Sequence, residues 1–333
     1  MSDDRYLWDG SGPPDPEVER LEQLLGRFRR ELPAPLWQRR RPRRRVLAVA
    51  AVLALAAAGA LLVARAGAGW NVRKVAGTPA VESAGISGSG FLSAGQLLET
   101  DGFSRARLDL SSVGRVDVGP NSRVRLLRSR WTEQRLALDR GAITAKIWAP
   151  PRLFLVQTPS ALAVDLGCEY ALEVNDAGAG LLRVTTGWVS FEREGRESIV
   201  PAGAACATRP GSGPGTPYYE DASPEFLRAL ESLDFQKGGE DSLKVVLAAA
   251  RKRDGLSLWH LLSSTERPAR ERVHEVLAAL VPPPAGVTRQ GALALDERML
   301  DRWRWELEGM PWLPRNASFA SFFRKLWFRI AGN

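Results

Sequence analysis

The sequence predicts a multi-domain chain of mixed α and β structure: a single transmembrane helix, an all-β domain of many short strands, and a C-terminal all-α domain. Three observations carry that expectation. An uncharged run of 19 residues, Val46–Ala64, holds only Val, Leu, Ala and one Gly. From Phe91 to Thr208 apolar and polar residues alternate with a period of two, as on a half-buried strand. From residue 223 onward the period lengthens to that of a helix.

Residues 1–45 form the first segment. Asp15 reads as an N-cap, Pro16 as the first helical residue, and Glu17 and Glu19 suit the positive helix end. Val18, Leu21, Leu24, Leu25 and Phe28 follow helical spacing, so one amphipathic helix is expected from Pro16 to about Leu32, ended by Pro33 and Pro35. A lone helix of this length cannot bury its own apolar face. That face is a candidate contact for a partner protein or a membrane leaflet, and an anchor segment with no specific partner is the alternative.

Residues 46–66 are expected to cross a membrane, because 19 helical residues at about 1.5 Å each nearly match the hydrocarbon core. Arg39, Arg40, Arg41, Arg43, Arg44 and Arg45 stand directly before the run and few cations follow it, which orients the N-terminus toward the cytoplasm. The arginines are read as a topology and lipid-contact signal rather than a nucleic-acid patch. They also account for most of the formal net charge of +8. Ala64-Arg65-Ala66 has the form of a signal-peptidase site, but the preceding segment and the run are both long for a signal peptide, so an uncleaved anchor is expected. Trp70 is expected at the outer headgroup level.

Residues 67–90, rich in Gly, Ala and Ser, are expected to be a tether, and 91–208 the all-β domain. There Leu108 alternates with Arg107 and Asp109, Val116 and Val118 with Asp117, and Val124 and Leu126 with Arg125. Turn residues break the pattern at intervals, which gives about ten or more strands and argues against a βαβ architecture. Residues 209–222, with Gly211-Ser212-Gly213-Pro214-Gly215, are expected to be a linker. In the helical domain, 223–333, one helix carries Phe226, Leu227, Leu230 and Leu233 on a face. A second is capped by Asp241 and Ser242 and stopped at Gly255, with others at Leu256–Ser263, Ala269–Leu280 and Asp296–Leu307. Near the end, Phe319, Phe322, Phe323, Leu326, Trp327 and Ile330 share a face that suits either lipid or the domain's own core.

The β segment resembles the FecR domain family through the order of several short motifs. These are Gly95-Gln96-Leu97-Leu98-Glu99-Thr100-Asp101, then Val116-Asp117-Val118-Gly119-Pro120-Asn121-Ser122, Leu138-Asp139-Arg140-Gly141, Gln157-Thr158-Pro159 and Val184-Thr185-Thr186-Gly187-Trp188-Val189. Each is ordinary turn and strand chemistry, and together they span roughly 90–208. The resemblance implies a bacterial inner-membrane protein with the bulk of the chain in the periplasm. It would take a signal from a periplasmic or outer-membrane partner and act on an extracytoplasmic-function sigma factor through its cytoplasmic segment. The sequence departs from the family in three ways. Its cytoplasmic part is short and lacks a His-x3-Cys-x2-Cys motif, a helical region stands where siderophore sensors carry a βαβ segment, and Cys168 stands where Thr is usual. Cys168 and Cys206 are the disulfide candidate, with two buried thiols as the alternative.

No catalytic, cofactor or metal site is expected. His260 and His274 sit inside helical patterns, and there is no nucleophile elbow, Walker loop or zincin motif. The expected function is therefore a non-enzymatic, membrane-anchored signalling regulator that binds no nucleic acid. The alternative is an envelope scaffold whose β domain binds glycan or protein.

Overall fold

The computed structural model describes residues 16–28 and 69–308. The arginines at 39–45, the run Val46–Ala64 and the apolar face at 319–330 lie outside them. Among the described residues no helix is long and apolar enough to cross a membrane.

Helix α1, Pro16–Gly26, carries Glu17 and Glu19 in its first turn, and none of its residues is buried. It ends at Gly26, and residues 29–32, over which the sequence predicts its continuation, lie outside the described residues. Gly26, a poor helix former, closes it, and a turn from Phe28 N–H to the Leu25 carbonyl follows.

The β domain begins earlier than its composition suggests. Strands β1 (Gly69–Ala76), β2 (Ala80–Val81), β3 (Ala84–Gly85) and β4 (Ser89–Ser93) occupy the expected tether. Small residues there do not signal flexibility. Trp70 and Val72 alternate with exposed Asn71 and Arg73, and β1 pairs with β4 and with the strand at Arg105–Asp109. The series continues with β5 (Leu97–Glu99), β6 (Arg105–Asp109), β7 (Gly114–Val118), β8 (Arg123–Arg130) and β9 (Glu133–Ile147). Next come β10 (Phe154–Gln157), β11 (Leu162–Asp165), β12 (Glu169–Val174), β13 (Gly180–Thr186) and β14 (Trp188–Arg193). The last are β15 (Arg196–Pro201), β16 (Ala204–Arg209), β17 (Gly213–Pro214) and β18 (Tyr218–Tyr219).

Two sheets share β9. One runs β4-β1-β6-β7-β9-β12-β13-β16, with β17 and β18 on β16. The other runs β3-β2-β5-β8-β9-β10-β11-β14-β15. All pairings are antiparallel except β9 with β10. Residues 133–140 of β9 pair in the second sheet and 141–147 in the first. The switch occurs at Gly141, whose φ is +93°. A Cβ there would lie 2.4 Å from the Ser122 Cα, so only glycine lets the two backbones approach this closely. The inward faces of both sheets bury Trp70, Leu92, Leu108, Leu126, Leu136, Phe154, Tyr170 and Phe191 in one core.

The expected linker is structured as well. Gly213–Pro214 and Tyr218–Tyr219 both pair with β16, and Thr216 is buried. Its order comes from the helical part, because the Asp234 carboxylate accepts from Thr216 N–H at 2.6 Å and from Thr216 Oγ1 at 2.9 Å.

Helices α2 (Pro224–Phe235), α3 (Gly239–Ala249), α4 (Gly255–Ser264), α5 (Ala269–Leu280), α6 (Arg289–Leu293) and α7 (Glu297–Glu308) follow. Ser223 caps α2 by accepting from Phe226 N–H, and Asp296 caps α7 by accepting from Met299 N–H. Gly255 opens α4 rather than stopping α3. A Cβ there would lie 2.9 Å from a Leu307 methyl, so glycine serves close helix packing at that point. The short helix α6, capped by Thr288, carries no apolar period long enough to announce it. Edge strand β15 is covered by α4, where His260 Nε2 accepts from Ile199 N–H at 3.3 Å.

Candidate functional site

Three groups of residues are candidates for function: two are exposed apolar surfaces, and one is a polar cluster inside the β core. The first is the apolar face of α1. Leu21, Leu25 and Phe28 are 56, 60 and 77% exposed, Leu24 is exposed beside them, and Val18 is half-buried. Spacings of three, three and one from Val18 to Leu25 keep Val18, Leu21, Leu24 and Leu25 on one stripe, opposite Glu19, and Phe28 stands exposed in the turn that follows the helix. Such a stripe favours docking on another apolar surface over exposure to water.

The second is a buried polar cluster where the chain crosses from β11 to β12. Asp165, Cys168 and Tyr170 are each almost fully buried. The Cys168 thiol donates to Asp165 Oδ2, and Gly167 N–H donates to Asp165 Oδ1 at 2.7 Å. Burial lifts the Asp165 carboxyl to about 7, only partly opposed by those two donors. Burial, reinforced by the Asp165 charge, pushes the Cys168 thiol well up, and burial does the same to the Tyr170 phenol, whose hydroxyl has no hydrogen-bond partner.

Cys206 is also buried and also held up by burial, and its thiol donates to the Gly215 carbonyl at 3.3 Å. Both cysteines are free thiols, which corrects the disulfide expectation. Cys206 pairs with Leu182, whereas Cys168 precedes Glu169, which pairs with Thr186. Four residues along β13 separate the two sites by roughly 13 Å, beyond what a disulfide spans. Thiols this strongly held in the protonated form are poor nucleophiles.

The third group is aromatic: Phe103, Trp131 and Trp148 are 88, 82 and 57% exposed on turns of the β domain. Sequence reasoning passed over them. A signal was available, because Trp131 stands at a hairpin tip where Gly or Asn is usual, within Arg128-Ser129-Arg130-Trp131. Trp70, in contrast, is not a headgroup residue. It is 2% exposed, packs against Phe154, and donates from Nε1 to Gln134 Oε1 at 2.9 Å. An aromatic just after an apolar run reads as an interfacial anchor, but here it is the first inward residue of β1.

Both histidines are buried in the helical part. His260 is buried, and its pKa is pushed down to about 3 by desolvation and by Arg304 and Arg196. His274 is buried edge-on to Trp303 and lowered chiefly by desolvation. Among the described residues no group of three or more His, Cys, Asp and Glu could hold a metal ion.

Residues 96–190 match the family model described as FecR protein, the family the order of motifs resembles. Two crystal structures from Parabacteroides distasonis ATCC 8503, each described as a "putative anti-sigma factor", align with part of the chain. The 1.65 Å structure aligns with a TM-score of 0.33 and 14% identity over 40% of this chain and 63% of its own. The 2.50 Å structure aligns with a TM-score of 0.34 and 13% identity over 45% and 73%. This chain thus spans somewhat less than two thirds of the first structure. No curated protein matches the chain.

Proposed function

We propose that this chain is a membrane-anchored, non-enzymatic regulator. A FecR-type β domain on the far side of the inner membrane would bias the binding of a sigma factor by α1 in the cytoplasm. The observation that carries this reading is the FecR match over the core of the β domain, residues 96–190. Two features support it. The apolar stripe on α1 is left without a covering partner of its own element, and α1 is separated from the β domain by the uncharged run Val46–Ala64 and its arginine flank. Val18, Leu21 and Leu25 present the i, i+3, i+7 anchors by which a helix fills an apolar groove, and Phe28 follows in the turn after the helix.

The test is recovery of a sigma factor with the full-length chain from crosslinked membranes. Leu21→Asp together with Leu25→Asp puts two charges on the stripe and should lower recovery at least roughly tenfold, since each charge costs more than about 1.4 kcal/mol at a desolvated contact. Recovery of lipid but no sigma factor from the wild-type chain would leave the protein as an anchored envelope module.

A further inference from the structure

We infer that one end of the β domain rests on an anionic bilayer surface, with Trp131 and Trp148 inserted as interfacial anchors. The inference builds on the reading that Val46–Ala64 crosses the membrane. Both tryptophans lie at the end of the sandwich where β1 begins. The buried Trp70 donates to Gln134 Oε1, and Gln134 Nε2 donates to the Arg130 carbonyl at 2.7 Å, so the start of β1 lies against the β8–β9 hairpin tip. Gln134 N–H also bonds the Leu153 carbonyl, which brings the loop 148–153 to the same place. At the other side of that loop, Trp148 N–H bonds the Val113 carbonyl. Val113 belongs to the turn after β6, whose last residue, Asp109, pairs with Asn71 of β1.

Three further observations select a lipid surface as the occupant. Only four residues, 65–68, separate Ala64 from Gly69, a span of at most about 18 Å when fully extended, so this end cannot leave the bilayer it is tied to. Trp131 and Trp148 carry the side chain that favours the headgroup layer, because an apolar ring and a polar N–H suit its two halves, and the half-exposed ring of Phe91, opposite Asn71 on β4, adds apolar surface at the same end. The local charge is positive. Arg128 and Arg130 flank Trp131 and are exposed, while Glu133 is shared by Arg128 at 3.0 Å and Arg135 at 2.7 Å, and Arg115 is exposed two residues after Val113. Cations outnumber carboxylates at a surface that would face lipid phosphates.

The test uses the full-length chain in vesicles of phosphatidylcholine, with and without phosphatidylglycerol, some of the lipid brominated along its acyl chains. Trp131→Tyr plus Trp148→Tyr removes only exposed rings, and circular dichroism checks that the fold persists. The emission lost in the double variant should be quenched roughly twofold by brominated lipid in the wild type, and more strongly with phosphatidylglycerol present. A chain that does not float with vesicles overturns the anchored reading and this inference with it. A chain that floats, but whose Trp131 and Trp148 emission is the same in brominated and plain lipid, overturns this inference alone. Equal quenching in the two lipid mixtures would overturn the preference for anionic lipid.

Discussion

At the scale of single residues, Asp165 is the most consequential side chain of the β domain. Its carboxyl is raised from 3.8 to about 7 in the fold by burial. The folded state therefore holds a proton that the unfolded chain releases, and stability falls as pH rises from about 4 to about 7, then levels off. At full effect the loss is on the order of 4 kcal/mol. Urea denaturation of the wild type across this range should show that slope, and Asp165→Asn should flatten it. A parallel dependence in the two proteins would mean that the carboxylate finds more solvation than its two donors provide. The thiol beside it gives an independent check. With Cys168 and Cys206 both free, denatured protein should take up two equivalents of a thiol reagent with or without prior reductant. Labelling that appears only after reduction would restore the disulfide.

At the scale of elements, β9 joins the two sheets, and Gly141 is what lets it do so. Gly141→Ala requires a side chain at φ +93° and a Cβ within 2.4 Å of the Ser122 backbone. The conformational term alone is about 1–2 kcal/mol, and the overlap adds to it because Ser122 is held by Ala142 on β9 and by Thr100. A loss of about 3 kcal/mol or more in the denaturation free energy is expected; a loss below about 1 would mean that the β8–β9 corner can open. This corner also shows what a sequence can and cannot tell. The Leu-Asp-Arg-Gly motif ending at Gly141 marks a turn, and period-two alternation exposes β6 to β9 almost residue by residue. Neither reveals that β9 changes sheets, since that depends on which strands flank it on each half. Likewise α2, α4, α5 and α7 are legible from spacing and caps. Strands β1 to β4 are hidden by the Gly, Ala and Ser of 67–90, whose place in strands is decided by pairing partners and not by propensity. The three surface aromatics are invisible to periodicity because they sit on turns. The cysteines mislead because two thiols expected outside the cytoplasm suggest a bridge, whereas strand register holds them apart.

At the scale of the whole molecule, the described residues from 69 to 308 divide into two cores, one of strands and one of helices. Polar contacts join them into a continuous structure. Asp234 of α2 accepts from both donors of buried Thr216 and from Arg196 of β15 at 3.3 Å. Ser257 of α4 donates to the Pro217 carbonyl at 2.6 Å, and Asp221 is shared by Arg251 and Arg253. A regulator that passes a state of its β domain onward needs its parts to respond together, and this junction is where the helical part would follow the strands. Asp234→Ala leaves the Thr216 N–H and hydroxyl buried without acceptors, at about 1–3 kcal/mol for each such group. The helices keep their own core of Phe226, Leu258, Leu262, Val273 and Trp303, so the damage should fall on the connection. The expected outcome is new proteolytic cleavage within 209–222, which β16 and Asp234 otherwise hold, together with a denaturation curve that separates into two transitions. A single transition of unchanged steepness, with 209–222 still protected, would show that the His260, Ser257 and Asp221 contacts suffice to couple the two cores without Asp234.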